Sequence, residues 1–397
     1  MADRIGPIAP HIHQFAEFLT VEGYASQTVQ TKCALAGDLS QWIARHGLTL
    51  TELDEEKLRQ FYTHRRRARR RGDRLTGDQL LGFLRDRGLT PLRQPNIDRS
   101  PLGQLARDYE GFLSCERGLA RATVVSYLPI VQRFLNGHFQ NKAVRLRHLA
   151  PRDLHRFILR EGQRVGRRYT KLIVTALRSF LRFLHQRGKI KTDLAGALLG
   201  VAHWRLAHIP KSLTPEEVER LLKSCDRATP SGQRDYAILL LLARLGLRGG
   251  EVLAMTLDDL NWERGEVLVR GKGQRFEQLP LPQEVGKALV QYLRHVRPSC
   301  STRQVFIRLR APWHALRLSA ICCVVRRALK RAGLSPVFKG AHLFRHSLAT
   351  HMLRRGASLG EIGQLLRHRQ PTTTQIYAKV DIEALRGIAL PWIGGAA

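Results

Sequence analysis

Two arginines, a lysine, two histidines and a tyrosine form a set in the C-terminal part of this chain: Arg248, Lys272, His342, Arg345, His368 and Tyr377. Taken singly they say little, since an arginine is ordinarily a surface residue and a tyrosine ordinarily packs with its hydroxyl bonded. Taken together they suit phosphoryl transfer. A phosphodiester already carries negative charge, and its pentacovalent transition state gathers more on the equatorial oxygens. Guanidinium groups stay charged and present forked donors that fit two such oxygens. Losing one preorganised donor of this kind typically costs about 10²–10³ in rate. A phenol titrates near about 10, and nearby cations ease its deprotonation. Tyr377 therefore reads as a nucleophile among cations that serve its target.

Such residues need elements to hold them. Arg248 follows a strongly apolar helix expected over 235–247, and His342 and Arg345 share a helical face through i,i+3 spacing. Residues 266–270, the turn Gly271-Lys272-Gly273-Gln274 and residues 275–281 read as a β-hairpin. Ser358 and Glu361 read as a capping box opening a helix whose end presents His368. Pro371 interrupts, and Thr372, Thr373, Thr374 and Gln375 are expected to cap a short helix carrying Tyr377. Upstream, Thr214, Pro215 and Glu217 mark another helix start.

The first half repeats itself weakly. Phe18-Leu19 answers Phe112-Leu113, Leu53, Leu58 and Phe61 answer Leu149, Leu154 and Phe157, and Leu80-Leu81-Gly82-Phe83-Leu84 answers Phe180-Leu181-Arg182-Phe183-Leu184. Apolar residues fall at helical spacing in both stretches, with Gly or Pro between them. The expected organisation is an N-terminal helical domain at 1–98, a helical domain at 99–190 of which the first is a degenerate copy, a linker at 191–212 and a further domain at 213–397. Two unrelated amphipathic bundles would share such patterns too. The run Arg65, Arg66, Arg67, Arg69, Arg70 and Arg71 reads as a solvated face or as phosphate contact, which would position the chain without reading sequence.

Composition bears on partners. Lys and Arg number 66 against 33 Asp and Glu in 397 residues, a formal charge of +33. So large a surplus repels itself unless it meets a polyanion. Apolar runs such as 237–242 are too short to span a bilayer, and MADRIGPIAPHIHQ lacks the apolar stretch of a secretory signal. The expectation is nucleic acid in a cytoplasmic, nucleoid-associated setting, with no membrane. Cysteines 33, 115, 225, 300, 322 and 323 show no CxxC spacing, which reads as free buried thiols in a reducing compartment and no structural metal site.

The ordered set Arg, Lys, His-x-x-Arg, His, Tyr, with "HLFRHSLATHML" around His342 and Arg345 and "TTTQIY" ending on Tyr377, resembles the tyrosine recombinases, or phage-type integrases, over roughly 99–395. The resemblance implies a mainly α fold with a small β-sheet: a SAM-like helical core-binding domain plus a mixed α/β catalytic domain, here with an extra N-terminal helical domain. It implies that Tyr377 attacks a DNA phosphodiester to form a 3′-phosphotyrosyl link, that Arg248 and Arg345 hold phosphate oxygens, and that Lys272 protonates the departing 5′-oxygen. His342 assists proton movement and His368 adds a phosphate hydrogen bond. Neither a cofactor nor a metal is implied.

The implied partners are double-stranded DNA and three further protomers, as a homo-tetramer or a hetero-oligomer with related recombinases. The apolar tail 382–392 either docks on a neighbour or packs on its own domain. A mobile-element recombinase is the favoured setting; a type IB-like topoisomerase and a catalytically silent DNA-binding accessory protein are the alternatives. Two departures stand out. Arg367 occupies a place where the family usually has Gly, and Gly249-Gly250 replaces bulkier residues, which predicts a looser helix start at Glu251.

Overall fold

The computed structural model describes residues 6–64, 72–92, 98–139, 144–201, 211–271 and 275–380. Lys272, the arginines Arg65, Arg66, Arg67, Arg69, Arg70 and Arg71, and the tail 382–392 lie outside the described residues. The first helical segment consists of α1 (Ile12–Val21), α2 (Ser26–Arg45), α3 (Glu55–His64) and α4 (Asp73–Asp86). The second consists of α5 (Pro101–Gly111), α6 (Arg121–Phe139), α7 (Pro151–Arg164) and α8 (Arg167–Gln186). Both segments place a 3-10 turn before the third helix, Leu50–Glu52 in one and Leu146–His148 in the other.

Their cores correspond side chain by side chain. Leu53, Leu58 and Phe61 are buried in the first, as are Leu149, Leu154 and Phe157 in the second. In the first, Phe15, Phe18 and Phe83 meet with centroid separations of 6.2, 5.2 and 5.4 Å. Tyr109, Phe112 and Phe183 make the matching triad at 6.4, 5.4 and 5.2 Å. The second core continues through Ile190, Leu194, Ala195 and Leu198, so packed structure runs into the segment expected as linker from 191.

The chain divides into two compact units, Gln94–His208 and a unit made of Met1–Arg93 together with Ile209–Ala397. The first helical segment thus groups with the C-terminal segment while keeping its own core. Trp313 supplies a contact within that unit: its backbone N–H donates to the Glu22 carbonyl at 3.1 Å. Its indole covers Gly23, where a Cβ would come within 2.2 Å of the ring and where φ is +87°. Only glycine meets both demands.

In the C-terminal segment, α9 (Pro215–Lys223) opens on the Thr214–Glu217 capping box. The helix α10 (Pro230–Arg244) starts earlier than its apolar run suggests, because Thr229 accepts from the Gly232 N–H and Pro230 takes the first position. Residues 237–242 are completely buried, so α10 is the central element. Each such leucine contributes on the order of 1.5–3 kcal/mol of burial. Then come α11 (Gly249–Ala254), the strands β1 (Leu260–Asn261), β2 (Glu266–Gly271) and β3 (Arg275–Pro280), and α12 (Gln283–His295). The expected hairpin gains β1 as a third antiparallel strand, in the order β1-β2-β3. The helices α13 (Leu318–Arg331), α14 (His342–Arg354), α15 (Leu359–Leu365) and α16 (Pro371–Thr374) follow, then a 3-10 turn, Gln375–Val380. None of the six cysteines is in a disulfide; Cys33 and Cys225 are buried as expected, whereas Cys115 and Cys323 are exposed because they lie on outward helix faces. No helix among the described residues is long and apolar enough to cross a membrane.

Candidate active site

Arg345 projects from α14 into the interior and is 3% exposed. Its guanidinium donates to the Gly246 carbonyl at 2.7 Å and to the Leu366 carbonyl, tying together the end of α10 and the end of α15. Gly246 is required there, since φ is +57° and a Cβ would meet Leu366 at 2.9 Å. Arg248 stands at the N-cap of α11, where its backbone N–H and its Nη1 donate to the two carboxylate oxygens of Glu251 at 2.8 and 2.6 Å. Gly249 has a packing reason there: it is buried, and a Cβ would reach 3.2 Å from Leu318, whereas a Cβ at Gly250 would meet open space.

The Ser358–Glu361 capping box opens α15. At its other end the Arg367 N–H donates to the Gln364 carbonyl and the His368 N–H to the Gly363 carbonyl, both at 2.9 Å. This is a Schellman motif with Arg367 at its left-handed position, φ 55°. The motif aims His368, whose Nδ1 shares a 2.7 Å hydrogen bond with Thr374 Oγ1. The threonines do not cap the next helix as expected. Gln370 is the N-cap without a side-chain bond and Pro371 starts α16, since proline is tolerated at a first position.

Tyr377 is 1% exposed, in a small cluster with Ala349, Ile362 and Leu366. Its hydroxyl shares a 2.9 Å hydrogen bond with His346 Nδ1, and its ring lies parallel to that of His368 at 6.4 Å. Burial pushes the phenol up to about 12, although Arg345 and Arg248 pull the other way. The expectation that the cations ease its ionisation is thus right in sign and outweighed by desolvation. Burial, with His342 and Arg345 nearby, lowers His346 to about 4. Burial and then Arg345 and Arg248 lower His368 to about 4 as well. Burial, followed by the charges of Arg248 and Arg367, brings Arg345 down to about 10.

Arg248 and Arg345 therefore act electrostatically on both His368 and Tyr377. Arg248 and His368 line a cleft of about 750 Å³, together with Glu251, Gly271, Arg367 and Thr374. Gly271 is the last residue of β2 before Lys272 and pairs with Arg275. His342 is exposed at the head of α14, its ring 6.5 Å from that of His346.

The Phage integrase family profile matches residues 211–383, and the profile for the phage integrase N-terminal SAM-like domain matches 106–188. An integrase/recombinase designated y4rA, from Sinorhizobium fredii, is 42% identical over 394 residues, covering 98% of this chain and 96% of its own. The tyrosine recombinase XerD of Listeria monocytogenes is 31% identical over 291 residues, covering 70% of this chain and 95% of its own. This chain belongs to the tyrosine recombinase family. The XerH site-specific recombinase, in a post-cleavage complex with palindromic difH substrate, shares the fold with a TM-score of 0.58 at 21% identity, over 71% of this chain and 83% of its own.

The recombinase is accordingly a site-specific enzyme of DNA strand cleavage and rejoining. Four residues of its site were not assigned from sequence. His346 touches the tyrosine hydroxyl, Glu251 holds Arg248, Arg367 holds Glu251, and Thr374 holds His368. For Glu251 a signal existed, the i+3 spacing from Arg248 that makes a capping box. His346 lies one turn from His342 on α14, but nothing in spacing alone says which of the two meets residue 377.

Proposed function

We propose that Tyr377 is the nucleophile that cuts double-stranded DNA at the recombination site. Its Oη bonds to the scissile phosphorus, the P–O5′ bond breaks, and a 3′-phosphotyrosyl link and a free 5′-hydroxyl result. A partner strand's 5′-hydroxyl reverses the step, so bond energy is preserved. The observation that carries this reading is the phenol hydroxyl held by His346 within the field of both Arg248 and Arg345. His346, which touches the hydroxyl, takes its proton, with His342 one helical turn away. Arg248 and Arg345 bind the equatorial oxygens, His368 adds a donor, and Lys272 protonates the 5′-oxygen. Because Tyr377 is 1% exposed, its hydroxyl leaves the Ile362–Leu366 cluster to reach phosphate.

The +33 charge supports DNA as the partner, and the DNA-bound XerH relative supports the same class of substrate. We further propose four protomers acting together and a mobile-element setting; the designation of y4rA as an integrase/recombinase fits an element that integrates into DNA. A duplex nicked beside the cleavage position traps the adduct, since the short fragment diffuses away. Wild-type chain is expected to form a covalent species that Tyr377→Phe loses while still binding DNA. Equal adduct in both would reject Tyr377 as nucleophile, and binding without adduct on every site tested would reject the enzymatic reading for an accessory one.

A further inference from the structure

Arg367 is the only non-glycine residue with positive φ among the described residues; the other positions of that kind are all glycines. A side chain in the left-handed region is strained, and the C′ position of a Schellman motif selects glycine for that reason. The strain at 367 is kept for something. The Arg367 side chain is 5% exposed and borders the cleft, but its Nη donors are taken up by protein acceptors. Its Nη2 donates to Glu251 Oε2 at 3.0 Å, its Nη1 donates to the Leu365 carbonyl at 3.2 Å, and its Nε lies 3.8 Å from Glu277.

Glu251 is the centre of this arrangement. Its carboxylate is 4% exposed, accepts from the Arg248 backbone and guanidinium, and so fixes both the start of α11 and the reach of Arg248. A buried carboxylate must be compensated, and a single cationic partner would be held tightly. If Arg248 were that partner alone, its charge would be spent on Glu251 and less of it would face the cleft. With Arg367 on the same carboxylate, Arg248, Arg367 and Glu251 together stay positive, and Glu277, 3.8 Å from the Arg367 Nε but 40% exposed to screening water, offsets that only in part.

We propose that Arg367 is a positioning residue of the cleavage site: by neutralising Glu251 it lets that carboxylate orient Arg248 without withdrawing the Arg248 guanidinium from the phosphate. This rests on the reading of Arg248 as a phosphate ligand given above. It departs from the glycine usual at this place, and it assigns the departure a purpose.

Two variants separate charge from backbone. Arg367→Gly removes the cation and the strain, whereas Arg367→Ala removes the cation and keeps the strain. Both are expected to slow single-turnover adduct formation on the nicked duplex by about 10–100-fold, less than the loss of a direct donor, with DNA affinity unchanged. Replacing Glu251 by Gln in the Arg367→Gly background is expected to recover part of the rate, because the amide still caps α11 without claiming Arg248. Side-chain ¹³C titration gives a readout independent of catalysis. The Glu251 carboxyl, held below its ordinary value against burial by Arg248 and Arg367, should titrate at higher pH in both variants. Full activity of Arg367→Gly, or a Glu251 titration that does not move, overturns the proposal. A wild-type chain that forms no adduct but shows the titration shift would reject the nucleophile reading and leave the Glu251–Arg367 pairing standing.

Discussion

Phe83 and Phe183 occupy the same place in their two helical segments, each closing a triad with one aromatic pair from the first helix region. The surfaces around them have diverged. Residues 99–190 carry 19 Lys and Arg against 5 Asp and Glu, whereas residues 1–98 carry 15 against 12, with six of those 15 in the run 65–71. The first segment also gives its Glu22–Gly23 turn to Trp313 of the C-terminal segment. One apolar pattern thus supports two different outer faces. The core decides the fold, and the residues outside it are free to diverge in charge.

The strongest way to break this comparison is at the triads. Phe83→Ala and Phe183→Ala should each cost about 3–5 kcal/mol, felt only in the segment that contains the change. Hydrogen exchange of α4 and α8 reads the two separately, and clearly unequal losses would mean that the cores are not equivalent. The surfaces give the next largest contrast. Replacing Arg152, Arg156 and Arg164, all exposed on α7, with Gln should flatten the salt dependence of DNA binding by up to about 0.9 per lost phosphate contact. Replacing the acidic Glu55 and Glu56 of α3 with Gln should leave that slope unchanged. If the two sets of variants behaved alike, charge would not distinguish the segments.

A smaller effect tests the contact with Trp313. Gly23→Ala places a methyl group against the indole at a φ of +87°, and should loosen the first segment by about 1–3 kcal/mol. Raised exchange in α1 without change in α5 would show it; an unaltered α1 would remove Trp313 from the argument. The smallest contrast is in pH. Lys32, buried on α2 with its ammonium donating to Thr76 and Gln79, has its pKa lowered by burial from 10.5. Its protonated form is disfavoured in the fold, so the first segment should gain stability as pH rises from the folded value through 10.5. Tyr109 in the second segment, standing where the first has Phe15, has its phenol pushed up by burial from 10.0. That segment should keep its stability below pH 10 and lose it above, as the unfolded chain ionises first. Urea unfolding followed by segment-resolved exchange at several alkaline pH values measures the two opposite signs.

How much was readable in advance varied with the range of the interaction. The capping boxes at Thr214 and Ser358 were legible because both partners lie within one turn, and both form. The hairpin was legible from its alternation around Gly271, although β1, a two-residue strand, carries too little pattern to be seen. The helix start at Pro371 was misjudged because three threonines offered themselves as caps, whereas Thr374 turned inward to His368. His346 was passed over in favour of His342 although both were in view. Only the packing of α14 against the Gln375–Val380 turn selects between them.

Taken alone, the order of residues determined the helical periods, the local caps and the charge, because each depends on neighbours within a few positions or on simple composition; the set Arg248, Lys272, His342, Arg345, His368 and Tyr377 stood out only through its order along the chain and the family resemblance. The tertiary structure decided which groups meet and in which protonation state. Glu251 finds Arg367 across 116 residues, and Arg345 finds the Gly246 carbonyl across 99. The phenol of Tyr377 rises to about 12 despite its cations. Desolvation is a property of everything packed around a group, and no spacing along the chain contains it.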